Sequence, residues 1–118
     1  TNQCWVAGFS FGALLCMQLL MRRPEITRFI SVSPQPNLYD FNFLAPCPAS
    51  GLIVQGKKDE MVAPEETARL AEKLKSQKNI TVDYEEISGA NHFYDNEQDR
   101  LEKVVRKYIE RELNSKYR

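Results

Sequence analysis

The 118-residue sequence predicts an α/β protein, four mainly parallel strands in one sheet carrying three main helices. Three observations carry this expectation. Short apolar runs alternate with longer segments that have helical periodicity, glycine and proline fall at the junctions, and a glycine-flanked serine stands where the first run gives way to the first helix. Strands separated by helices pair in parallel through right-handed crossovers.

Cys4-Trp5-Val6-Ala7 is a short apolar run ending at Gly8, the pattern of a buried parallel strand. From Phe11 to Arg22 the apolar residues cover most of a helix surface, and Pro24 follows the stop. Arg22 and Arg23 fall in the last turn, where cations complement the helix dipole. Phe29–Val32 reads as the second strand, closed by Pro34. The stretch 34–49 is irregular, with four prolines and the apolar bulk of Tyr39, Phe41, Phe43 and Leu44. Leu52–Gln55 is the third strand, ending at Gly56. A helix is expected from Pro64, a residue suited to a first helical position, to Lys75, with Ala68, Leu70, Ala71 and Leu74 on one side. Thr81–Ile87 alternates with one partly wet face, as a strand near a sheet edge does. The last helix spans about 97–113, with Leu101, Val104, Val105, Tyr108 and Ile109 on one side.

The length suits one domain, 1–118, and not two. Sixteen basic residues balance sixteen acidic ones and are dispersed among them, which removes any long-range pull toward nucleic acid or an anionic membrane. Cys4, Cys16 and Cys47 have neither redox nor metal spacing. Cys4 and Cys16 sit in apolar runs and are expected to be buried, whereas Cys47 lies in a loop between prolines. Free thiols, no basic–apolar leader and no apolar stretch of membrane-spanning length lead to the expectation of a cytoplasmic protein.

Gly8-Phe9-Ser10-Phe11-Gly12 matches G-x-S-x-G, following a β-type run and opening a helical one. The chemistry requires that context: a sharp strand-to-helix turn strains the serine backbone and exposes its hydroxyl. Gly8 and Gly12 are expected because side chains there would strike neighbouring backbone. His92 is the sole histidine and lies in the loop 88–93 after the last strand, from which a base can reach a serine at the carboxyl end of another strand. Histidine is the side chain suited to taking and returning a proton near neutral pH. Two carboxylates, Asp59 and Glu60, follow the third strand.

These motifs resemble the α/β-hydrolase superfamily, most closely its small, nearly lidless members similar to dienelactone hydrolase. Residues 6–13 look like the nucleophile strand and elbow, residues 39–44 like the connection after the next strand, Gln55-Gly56 with Asp59 and Val62 like the acid loop, and Gly89-Ala90 with His92-Phe93 like the histidine loop. Dienelactone hydrolase itself uses cysteine where this sequence has Ser10. The resemblance implies Ser10 as nucleophile, His92 as general base and Asp59, in preference to Glu60, as the acid that orients it. It implies the Phe11 N–H as an oxyanion donor, and Phe9, Tyr39, Phe41 and Phe43 as substrate-pocket residues, although packing against the sheet is the simpler role of the 39–44 segment. Neither metal nor organic cofactor is implied. The expected substrate is a small ester or similar acyl compound.

The resemblance begins at the fifth of the eight family strands, so the chain reads as one incomplete domain carrying strands five to eight. The loop that donates the second oxyanion N–H in the family lies outside it, and losing one such donor typically costs roughly 10²–10³ in rate. Residues 4–7 would form an uncovered edge, which invites a second copy or an amino-terminal half to pair with it. The alternative function is a truncated, non-catalytic remnant or interaction domain, and a different enzyme on the same fold, such as a peptidase or acyltransferase, stays open as a second rival.

Overall fold

A computed structural model describes residues 4–116. Strand β1 (Trp5–Phe9) leads into helix α1 (Phe11–Arg22), followed by β2 (Arg28–Val32), a 3-10 turn at Asn42–Leu44, β3 (Ser50–Gly56), α2 (Pro64–Lys75), β4 (Val82–Ile87) and α3 (Gln98–Lys116). The four strands form one parallel sheet in the order β1-β2-β3-β4. The α/β class and the strand order both agree with the sequence.

Period-two alternation divides the strands between two cores. Phe29 and Ile53 face Leu14, Met17 and Leu20 of α1 and Leu70, Ala71 and Leu74 of α2. Ile30, Val32, Leu52 and Val54 face the other way, onto Tyr108 and the partly buried Leu101, Val104 and Val105 of α3. The sheet is thus sandwiched, with α1 and α2 on one face and α3 on the other. β4 is an edge strand with Glu85 and Glu86 exposed. The β1 strand occupies the opposite edge, and its Trp5 ring packs edge-on against Tyr108 at 5.9 Å.

The cysteines depart from expectation in their degree of burial. Cys4 and Cys16 are half-buried, and the Cys16 thiol donates to the Ala7 carbonyl at 2.9 Å. The Cys47 side chain is buried, because the 3-10 turn folds the 42–49 segment back onto α2 and the Gln77 side chain ties the Cys47 N–H to the Leu44 carbonyl. Burial pushes the Cys47 thiol pKa up. The all-round apolar character of α1 leaves Phe11, Leu15, Leu19 and Met21 exposed, since only one side of the helix meets the sheet. Among the described residues no helix is long and apolar enough to cross a membrane.

Candidate active site

Ser10 stands between β1 and α1 with φ 58° and ψ −119°, a strained conformation for a residue with a side chain. Its N–H is tied to the Val32 carbonyl at 2.9 Å, so the end of β2 holds the turn in place. Gly8 makes the turn possible: a Cβ there would sit 2.3 Å from the Gly12 carbonyl oxygen. Gly12 departs from expectation, because a Cβ at that position meets nothing within 4 Å. The collision that demands glycine is one-sided within this chain.

His92 lies in the loop after β4 and is completely buried. Its Nε2 is 2.9 Å from Ser10 Oγ, and its Nδ1 is 2.7 Å from Asp59 Oδ2. A carboxylate only accepts, so Nδ1–H donates to Asp59, which leaves Nε2 of the neutral ring to accept the Ser10 hydroxyl proton. Asp59 sits in the β3–α2 connection, where its Oδ1 accepts the Met61 and Val62 N–H groups at 2.8 and 2.9 Å. Its Oδ2 accepts a further bond from Gln55 Nε2 at 3.0 Å. Four donors therefore compensate a carboxylate that is almost out of contact with water. Glu60 is exposed, so the structure separates the two candidate acids clearly.

The histidine loop is braced from below. Tyr94 and Ser33 both have positive φ, both are buried, and their hydroxyls are 2.8 Å apart. Desolvation above all pushes the Tyr94 pKa up to about 12, so the phenol stays a neutral hydrogen-bonding group. The brace was not legible in sequence, because neither residue stands in a recognisable motif.

The four aromatic candidates part company. The Phe9 ring lies 5.3 Å from His92 and 5.9 Å from Phe93, beside the base, whereas Tyr39 meets Phe11 at 5.6 Å and packs on the core of the α1 and α2 face. Phe41 and Phe43 stack on each other at 6.1 Å and pack on the core beneath α1 and α2. Tyr39 and Phe41 also line a groove of about 500 Å³ against Leu70 and Lys73 of α2, which includes none of Ser10, Asp59 and His92. Phe41 and Phe43 thus have packing contacts on the core, a placement that apolar bulk in a proline-rich loop does not reveal. Among the described residues no group of three or more His, Cys, Asp or Glu could hold a metal ion.

Comparison with known proteins matches residues 27–115 to the prolyl oligopeptidase family, a stretch that includes Asp59 and His92 and begins after Ser10. An uncharacterized protein of Rickettsia prowazekii is 44% identical over 108 residues, 88% of this chain and 45% of its own. Among solved structures, a protein of unknown function from Agrobacterium tumefaciens is 52% identical with a TM-score of 0.94, covering 96% of this chain and 52% of its own. An α/β serine hydrolase homologue from Coxiella burnetii is 29% identical with a TM-score of 0.80, over 92% of this chain and 50% of its own. A lidless α/β serine hydrolase from Xanthomonas campestris is 26% identical with a TM-score of 0.78, over 94% and 48%. The chain spans about half the length of these relatives.

Proposed function

The chain belongs to the prolyl oligopeptidase family, within the α/β serine hydrolases, and on that premise we propose that it carries the catalytic triad of an acyl hydrolase with Ser10, His92 and Asp59 as its members. One observation supports this reading above the others: the unbroken chain of hydrogen bonds from Ser10 Oγ through the His92 ring to Asp59, 2.9 and 2.7 Å long. Ser10 Oγ attacks the carbonyl carbon of a small ester or similar acyl compound while its proton passes to His92 Nε2. Asp59 holds the tautomer and stabilises the imidazolium. The tetrahedral intermediate collapses as His92 returns the proton to the leaving group. Water, deprotonated by the same nitrogen, then releases the acid and restores Ser10.

Phe11 is the first residue of α1, and no side chain caps this helix end. Its N–H therefore belongs to the first-turn donors that lack an intrahelical acceptor, which suits a developing oxyanion. A second donor is expected from an amino-terminal half, present either on the same polypeptide or as a partner. On this reading the chain is one incomplete domain, strands five to eight of the family fold. Phe9, Phe11 and Tyr39 border the acyl site. The half-buried Cys4 and Cys16 thiols and the buried Cys47 thiol suit a cytoplasmic setting. The chemistry calls for neither metal nor cofactor, and no nucleic-acid or membrane contact is part of it.

A second reading, a non-catalytic remnant or interaction domain, would use β1, an edge strand of the sheet among the described residues. Hydrolysis of a short p-nitrophenyl ester decides between them. Activity that disappears in Ser10→Ala supports the hydrolase. Equal rates for the variant and the parent would remove Ser10 from the mechanism.

A further inference from the structure

β3 is an apolar core strand that buries one large polar side chain completely, Gln55. A primary amide left in a core without partners forfeits the hydrogen bonds it made to water, so a buried amide must satisfy its groups locally. Gln55 does so in a directed way. Its Nε2 donates to Asp59 Oδ2 at 3.0 Å and to the Gly56 carbonyl at 3.1 Å. Its Oε1 accepts the Thr67 hydroxyl at 2.8 Å. Thr67, also completely buried, belongs to the early part of α2. The opposite amide orientation would press Oε1 against a carboxylate and a carbonyl, so the chemistry of the neighbours fixes which end faces Asp59.

The two donors on Asp59 Oδ2 are thus His92 Nδ1 and Gln55 Nε2, and Gln55 is clamped in turn by α2. With Met61 and Val62 holding Oδ1, the carboxylate has no freedom to turn away from the imidazole. We propose that Gln55, locked by Thr67, is a positioning residue that sets the orientation of Asp59 and through it the His92 tautomer. The inference rests on the hydrolase reading for its catalytic consequence, but its structural content stands apart from catalysis. The same pair couples the acid loop to the packing of α2.

Because His92 is the only histidine, its ring N–H can be followed by proton NMR of the full chain without ambiguity of assignment. The parent should show a downfield, exchange-protected Nδ1–H resonance from the His92–Asp59 bond. Gln55→Leu and Thr67→Val should each move or broaden it, and Thr67→Ser, which keeps the hydroxyl, should restore it. The rate of Ser10 labelling by a fluorophosphonate at saturating probe should fall roughly 10–100-fold in Gln55→Leu, by analogy with the loss of outer-shell partners elsewhere, with the half-saturating probe concentration unchanged. Should Gln55→Leu fail to fold, the Thr67→Val and Thr67→Ser pair carries the test alone. An unchanged resonance in folded Thr67→Val or Gln55→Leu overturns the inference. A perturbed resonance in a chain whose parent never labels would instead count against the hydrolase reading and leave the positioning role supported.

Discussion

Replacing Gly8 with alanine places a methyl group where the chain has no room for one. The new Cβ would lie 2.3 Å from the Gly12 carbonyl oxygen, 2.5 Å from its carbon and 2.7 Å from Cys16 Sγ. Those separations are roughly 1 Å short of van der Waals contact. Two of the obstructing atoms are backbone, so relief requires β1 and α1 to move apart and not merely a rotamer change. Overpacking of this kind costs about 1–3 kcal/mol, and a backbone obstacle puts Gly8→Ala at the upper end. With a urea dependence of about 1–3 kcal/mol/M, the unfolding midpoint should fall by roughly 1 M or more. Gly12→Ala is the matched control. Its Cβ meets nothing within 4 Å, and alanine exceeds glycine in helix propensity by up to about 1 kcal/mol, so its midpoint should hold or rise. Trp5, the single tryptophan, packs on Tyr108 and reports unfolding by fluorescence. A parental midpoint for Gly8→Ala, or greater damage from Gly12→Ala, would refute this view of the elbow.

Four further expectations concern the site and its surroundings. Asp59→Asn should lower ester hydrolysis by roughly 10⁴-fold while the exposed Glu60→Gln leaves it unchanged, and steady-state assays giving the opposite order would move the acid by one residue. Tyr94→Phe removes the 2.8 Å partner of the buried Ser33 hydroxyl and should destabilise by about 1–3 kcal/mol in urea titration. The same phenol has a folded pKa of about 12, above an unfolded value near 10, so its contribution is complete below about pH 10 and is lost as pH rises toward 12. Urea midpoints across that window should fall less steeply in Tyr94→Phe than in the parent, and identical slopes would exclude Tyr94 as a source. The exposed Leu15 and Leu19 of α1 should promote association at micromolar concentration, which Leu15→Lys with Leu19→Lys should suppress; a monomeric parent by sedimentation would refute this.

Local chemistry decided what could be read from the sequence. The ends of α1 and α2 fall where they were expected, Phe11–Arg22 and Pro64–Lys75, because the serine turn, Pro24 and Pro64 punctuate the chain at those points. Strand ends were less legible, since partners set them: β1 runs on through Gly8 and Phe9 because these pair with Ser31 and Val32, and β3 starts at Ser50 opposite Arg28. Ser10, Asp59 and His92 could be singled out because each stands in a short pattern after a strand. Gln55 stands in the acid-loop pattern but its role there could not be read, and Thr67, Ser33 and Tyr94 stand in no pattern, because these hydrogen bonds join separate elements that only the fold brings together. The cysteines were misplaced for a similar reason. Cys4 precedes β1 and Cys16 lies on α1, and both are only half-buried, whereas the loop residue Cys47 is covered by its own turn.

The central claim is that Ser10 is an activated nucleophile, and covalent trapping tests it most directly. The full chain is incubated with a fluorophosphonate, digested, and mapped by mass spectrometry. The expected result is one phosphonyl group on the peptide that contains Ser10, absent from Ser10→Ala and strongly reduced in His92→Ala, since the base and nucleophile act as a unit. Labelling spread over other serines, or labelling of Ser10 at the same rate without His92, would contradict it.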